Sequence, residues 1–207
     1  MSYVCLLANK NGAVVAGDTR ETIDNLFHWD HRRKIFKSED GKILWAMCGL
    51  TRYFGVDYFR RISLLLRKGL GAENDLDTVK KVAGLVAKGT AWQYRWSKKR
   101  SSLTAFICFV HGQRLSIFCI SSVNGKSVIT RKPVPCVLEG GSGTVNIERL
   151  KLQDIVLLDL DQLYVKAQEQ TARAIEADKK KKKETKKYIS TVGGDILAEK
   201  IRCNPQR

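Results

Sequence analysis

Two apolar runs, residues 3–8 and 13–17, open the chain on either side of Asn9-Lys10-Asn11-Gly12. Asn and Gly tolerate the positive φ of a tight turn, so this pattern predicts a β-hairpin. Lys34–Lys37 and Lys42–Cys48 flank Ser38-Glu39-Asp40-Gly41 in the same way, predicting a second hairpin after an irregular loop around residues 20–33. From Leu50 to Lys68 the period changes. Tyr53, Phe54, Val56, Tyr58, Phe59, Ile62, Leu65 and Leu66 recur near helical spacing, with Arg60, Arg61 and Arg67 between them. Gly69-Leu70-Gly71 ends this helix. Asp75 or Asp77 then caps a second one, which carries Val79, Val82, Leu85, Val86 and Trp92 and runs into the basic cluster Arg95–Arg100.

β-branched and aromatic runs return at Leu103–Val110, Arg114–Ser121, Lys126–Thr130 and Cys136–Leu138 and predict a second antiparallel sheet. Residues 146–190 contain neither Pro nor Gly and space their apolar side chains at helical intervals, which predicts two more helices. Gly193-Gly194 ends them, and Ile196–Ile201 reads as a last strand. Strands, two helices, strands, two helices and a strand, with no repeat and no linker, predict one α+β domain over residues 1–207.

No apolar run approaches the roughly 18 residues that cross a bilayer, and Val4–Ala8 is too short for a signal peptide. The six cysteines show no CxxC pair, and five of them fall in strand-like apolar runs. A soluble chain with reduced, buried thiols in the cytoplasm is expected. His28 and His31 stand three apart without a further ligand pair, so neither metal nor other cofactor is expected. The net charge of +16 makes nucleic acid or another polyanion the first partner that composition implies. Lys179–Lys183 with Lys186 and Lys187 supply seven of the positive charges on a predicted helix, where a solvated face is an equal alternative to a binding patch.

The candidate chemistry begins at Ser2. Initiator methionine is normally removed before so small a residue, leaving a hydroxyl and a free α-amine on one residue. An α-amine with a pKa of about 8 accepts the hydroxyl proton and makes serine a nucleophile without histidine. Asp18 and Lys34 follow Ser2 by 16 and 32 residues. With these spacings, Ser2-Tyr3-Val4, Asn11-Gly12, Gly17-Asp18-Thr19-Arg20 and Lys34 resemble the start of a proteasome β-type or HslV-like subunit of the N-terminal-nucleophile hydrolase superfamily. Cys48-Gly49 resembles that family's oxyanion-hole pair, one residue late. Gly141-Ser142-Gly143 is similar to its Gly-Ser-Gly segment, and Val192-Gly193-Gly194-Asp195-Ile196 to the closing Gly-Asp-Ile segment of HslV. Two departures stand out: the family's usual nucleophile is threonine, and its Asp-x-x-Ser-Gly-Gly pattern is replaced by Ile189-Ser190-Thr191-Val192-Gly193-Gly194.

The resemblance implies a four-layer αββα sandwich and a hydrolase of peptide or amide bonds. Ser2 would be the nucleophile, Lys34 the charge that lowers its pKa, Asp18 the anchor of Lys34, Gly49 the oxyanion donor and Ser142 the support of the α-amine. Arg20, Arg32, Phe36, Met47 and Thr51 would line the substrate pocket. It further implies a homo-oligomeric ring or larger assembly acting on a peptide or protein, with any ATPase unfoldase a separate chain. The alternatives are a catalytically silent scaffold, with the Lys-rich helix gripping a polyanion, and an amidase or transpeptidase for small molecules.

Overall fold

The computed structural model of the chain describes all residues except 1, 24–26, 50, 51, 54, 55, 68–73, 142–146, 186–191 and 204–207. The side chains of residues 22, 23, 27–29, 52 and 53 also lie outside the description. The first half contains β1 (Tyr3–Asn9), β2 (Gly12–Asp18), β3 (Glu21–Ile23), β4 (Phe27–Trp29), β5 (Ile35–Lys37), β6 (Ile43–Gly49), β7 (Arg52–Tyr53), β8 (Val56–Asp57), α1 (Tyr58–Arg67) and α2 (Asp75–Ser97). The second contains β9 (Ser102–His111), β10 (Arg114–Val123), β11 (Lys126–Lys132), β12 (Cys136–Gly141), a 3-10 turn at Leu152–Asp154, α3 (Leu160–Glu184) and β13 (Ile196–Arg202).

The strands form an antiparallel four-stranded sheet, β12-β1-β2-β13, and an antiparallel five-stranded sheet, β11-β10-β9-β6-β5. Side-chain alternation in β1 and β6 divides the core into three clusters. Val4, Leu6, Ala8, Ala13 and Val15 meet Leu44, Ala46, Cys48, Phe106 and Cys108 between the sheets. On the other face of the five-stranded sheet, Ile43, Trp45, Met47, Ile107 and Phe109 pack against Phe59 and Ile62 of α1 and Val79, Val82 and Val86 of α2. Tyr3, Cys5, Leu7, Val14 and Ala16 face Leu160, Leu163, Ala167, Ala174 and Ile175 of α3. Every residue of β1 and β2 is therefore buried, because both faces of this hairpin are covered. The fold is α+β, and among the described residues no helix is long and apolar enough to cross a membrane.

Four local expectations change. The helix expected from Leu50 begins only at Tyr58, because residues 52–53 and 56–57 pair as strands. Asp57 then accepts a hydrogen bond from Arg60 N at 2.9 Å and fixes the helix start. The second helix is capped by Asn74, whose side chain accepts from Asp77 N at 2.9 Å, rather than by either aspartate. Asp75 is held instead by His111 Nε2 at 2.9 Å. The loop around residues 20–33 contains the short antiparallel pair β3–β4.

The two helices expected in residues 146–190 are one helix of 25 residues, preceded by an irregular stretch. Apolar spacing in that stretch looks helical because Ile147, Leu150, Ile155 and Leu158 all turn onto the same core cluster. The helix starts where Asp159 accepts from the backbone N–H groups of Asp161 and Gln162 while Gln162 accepts from Asp159 N, a reciprocal capping box. Asp159→Ala is expected to lower stability by about 1 kcal/mol. This will appear as a lower urea midpoint with an unchanged slope. An unchanged midpoint would mean that packing alone sets the start of α3.

Candidate active site

The hairpin register sets the first contacts. Val4 lies opposite Gly17, so residues 2 and 3 run alongside Asp18 at the end of β2. On the other side of β2, Ile196 lies opposite Asp18, which brings Gly193 to the same end. Lys34 arrives from the segment that leads into β5. Four stretches that are remote in sequence thus converge at one end of the sheets.

Asp18 and Lys34 form an ion pair of 2.8 Å in which neither side chain has any exposure. Asp18 Oδ1 accepts from Lys34 Nζ and, at 2.7 Å, from Tyr3 N. Its Oδ2 accepts from Gly193 N at 3.0 Å and Arg20 N at 3.2 Å. The acceptor capacity of the carboxylate is filled. Lys34 Nζ also donates to the Arg20 carbonyl at 2.5 Å. Ser2, 2% exposed, points its Oγ at the same carbonyl over a long 3.5 Å. The hydroxyl and the ammonium therefore share one acceptor.

Burial holds Lys34 below the ordinary lysine pKa, opposed by the charge and hydrogen bond of Asp18 and, more weakly, by the buried Glu21. Burial also pushes the Cys48 thiol up to about 12, against the pull of Lys34. Cys48 is thus a thiol that burial keeps protonated beside the ammonium. A Cβ built on Gly140 would come 3.1 Å from its sulfur.

Glycine is needed at two points of the junction. Gly49 has φ +103°, and a Cβ there would lie 2.3 Å from Ser102 O. Gly141 has φ +133°, and its Cβ would lie 1.7 Å from Ser2 O. The missing side chain at Gly141 lets β12 close onto the backbone of Ser2, with Tyr3 opposite Gly141. β12 thus ends directly beside the candidate nucleophile. Ser142 itself, like Thr51, lies outside the described residues.

Of the pocket candidates, Arg20 makes a bidentate pair with Asp30 at 2.6 and 2.8 Å and lies over Gly193. Arg32 pairs with Asp57 at 2.5 Å and sits 5.5 Å from the Phe59 ring centroid. Phe36 stacks on Trp45 at 5.5 Å, and Met47 is fully buried in the cluster beneath α1 and α2. Each therefore contributes to ion pairing or packing. Asp30, Asp57 and Glu21 were not picked out from the sequence as partners, because contacts across loops leave no periodic signal. Gly193 was visible only as part of a motif, and its role as a donor to Asp18 emerges with the β2–β13 register.

A separate cleft of about 480 Å³, lined by residues including Lys10, Gln113, Arg202 and Cys203, opens at the other end of the β1–β2 hairpin and takes no part in this cluster. Among the described residues no group of His, Cys, Asp and Glu side chains could hold a metal ion. His31 is exposed, and the side chain of His28 lies outside the description. No protein-family model and no curated protein sequence matches the chain.

The lowered Lys34 pKa has a definite pH signature. The unfolded chain keeps this proton up to about pH 10.5 while the folded chain loses it at a lower pH. In that window the unfolded state binds more protons, so Lys34 makes stability rise with pH. Lys34→Met leaves Asp18 buried without its counter-charge and is expected to cost about 3 kcal/mol or more at neutral pH. Urea unfolding at a series of alkaline pH values should show wild-type stability rising relative to the variant. A constant difference between the two would contradict the lowered pKa.

Proposed function

We propose that this chain is an N-terminal-nucleophile hydrolase of the proteasome β-type kind, which cleaves peptide or amide bonds through Ser2 after removal of Met1. The observation that carries this reading is the unexposed Asp18–Lys34 pair, whose ammonium shares the Arg20 carbonyl with the Ser2 hydroxyl. Desolvating two charges costs several kcal/mol per ion, and apolar side chains of similar volume often serve stability equally well. A buried ammonium beside an N-terminal hydroxyl has a chemical use that a purely structural pair lacks. The arrangement of α1 and α2, the five-stranded sheet, the four-stranded sheet and α3 also agrees with the four-layer αββα sandwich of that superfamily.

In this mechanism Ser2 Oγ attacks the substrate carbonyl carbon and its proton passes to the α-amine. The positive charge of Lys34 lowers the pKa values of both groups. Gly49 N–H donates to the tetrahedral oxyanion, a contribution worth about 3 kcal/mol for one donor. Collapse breaks the C–N bond, and the leaving amine takes the proton from the α-ammonium. Water, deprotonated by the α-amine, then hydrolyses the acyl ester and restores Ser2. Ser142 supports the α-amine. Assembly into a ring would confine such a site, and a separate ATPase would feed it unfolded protein.

A silent scaffold of the same fold is the second reading. It is favoured by the backbone N–H groups of Tyr3, Arg20 and Gly193, which Asp18 would tie together whether or not chemistry occurs. The two readings separate by intact mass after incubation with a peptide β-lactone or epoxyketone. The hydrolase loses Met1 and gains one adduct that Ser2→Ala abolishes. Retained Met1 without an adduct would favour the scaffold and leave the family resemblance as one of fold alone.

A further inference from the structure

Between Asp77 and Glu139 the chain carries eleven Lys or Arg residues and no Asp or Glu. This acid-free segment supplies nearly all of α2 and the whole of β9, β10 and β11. α2 turns Val79, Val82, Ala83 and Val86 into the core. Its C-terminal half presents Trp92 and Trp96 to solvent, 57% and 63% exposed. The two rings stand four residues apart, on one side of the helix and about 6 Å apart along its axis. Lys88 and Arg95 flank them at helical spacing, and Lys98, Lys99 and Arg100 follow the helix end; all five are exposed.

The neighbouring elements add charge of the same sign. β11 is the edge strand of its sheet and runs beside α2: Ser127 Oγ donates to Ala83 O at 3.1 Å, and the turn at Gly125 abuts Ala91. It carries the exposed Lys126 and Arg131. On the other side Tyr58 of α1 packs on Gly89, with Arg61 close to it. The acidic residues of α2, Asp75 and Asp77, belong to its first turn, about 25 Å along the axis from the tryptophans.

We infer that the C-terminal half of α2, with Trp92 and Trp96 set among Lys88, Arg95 and Lys98–Arg100, is a binding face for single-stranded nucleic acid. A face with one sign of charge cannot pair with the same face of a second copy, because an isologous contact would set cation against cation. Nor does it suit a helix lying on a membrane, which needs a broad apolar side, because the apolar side of α2 is already in the core. A polynucleotide matches both features: phosphates neutralise the cations, and unpaired bases stack on indole rings whatever their sequence. The Lys-rich end belongs to α3, whose core-facing side packs on the other sheet, and it serves as the control for charge without aromatic rings.

Fluorescence anisotropy with end-labelled single-stranded RNA and DNA of one sequence, and with the matching duplex, tests the inference. The single strands should bind more tightly than the duplex and weaken steeply between about 50 and 200 mM salt. Trp92→Ala/Trp96→Ala should lower affinity at least about tenfold, with circular dichroism unchanged because both side chains are exposed. Replacing Lys179–Lys183 with Gln should leave affinity close to wild type. The ratio of RNA to DNA affinity identifies the natural strand, and either supports the inference. Absence of binding, duplex binding indifferent to the tryptophan pair, or loss of binding only with the α3 lysines would overturn it. So would tryptophan-dependent binding to anionic vesicles, or tryptophan-dependent self-association, without oligonucleotide binding. Ser2→Ala leaves this face intact, so failure here and failure of the hydrolase reading are read out separately.

Discussion

A carboxylate with no exposure must find a donor for every lone pair, and Asp18 finds four: Tyr3 N, Arg20 N, Gly193 N and Lys34 Nζ. These donors come from the first strand, the turn after the second, the approach to the last and the approach to the five-stranded sheet. They meet only when β1, β2 and β13 are paired and the two sheets are docked. A misplaced strand would leave a buried charge without its partners, at a cost of several kcal/mol. The side-chain register of the whole N-terminal end is therefore tied to one aspartate.

The same crowding explains the glycines around it. Gly49, Gly141 and Gly193 each occupy a position where a Cβ would strike another part of the protein: the Ser102 carbonyl, the Ser2 carbonyl and the Arg20 guanidinium respectively. Backbone packed this closely leaves little freedom in the position of Ser2. The result is a hydroxyl, an ammonium and a carboxylate held in fixed relation. Pre-organisation of that kind is what electrostatic catalysis requires, because the charges need not reorient when the oxyanion forms. Tying Arg20 to Asp30 and Arg32 to Asp57 adds rigidity around the cluster.

Much of this was legible in the sequence, for physical reasons that can be named. The Asn-Lys-Asn-Gly turn and the apolar runs on each side predicted the first hairpin, and through its register the meeting of Tyr3 N with Asp18. The resemblance carried by the spacing of Ser2, Asp18 and Lys34 implied one cluster, and Lys34 does bridge the Asp18 carboxylate and the Arg20 carbonyl at which Ser2 Oγ points. The stretch before α3 misled because its apolar side chains serve a sheet face at intervals that mimic a helix, and only the Asp159 capping box marks the true start. Residues 52–53 and 56–57 misled for a related reason, since their short strand pairing is a tertiary choice that local periodicity cannot express. The partners of Arg20 and Arg32 were invisible because a salt bridge across a loop has no sequence period.

The central claim is that the Asp18–Lys34 pair exists to charge the Ser2 site and not merely to hold the junction together. Its most direct test is Asp18→Asn/Lys34→Met, assayed in parallel for urea stability and for the rate of Ser2 acylation by a peptide β-lactone. Removing both charges avoids an unpaired buried ion, so the double variant should unfold at a midpoint above that of Lys34→Met alone. The account predicts that acylation nevertheless falls by about a hundredfold or more in this folded protein. Acylation at the wild-type rate in the folded double variant would contradict it and leave the pair as a structural tie.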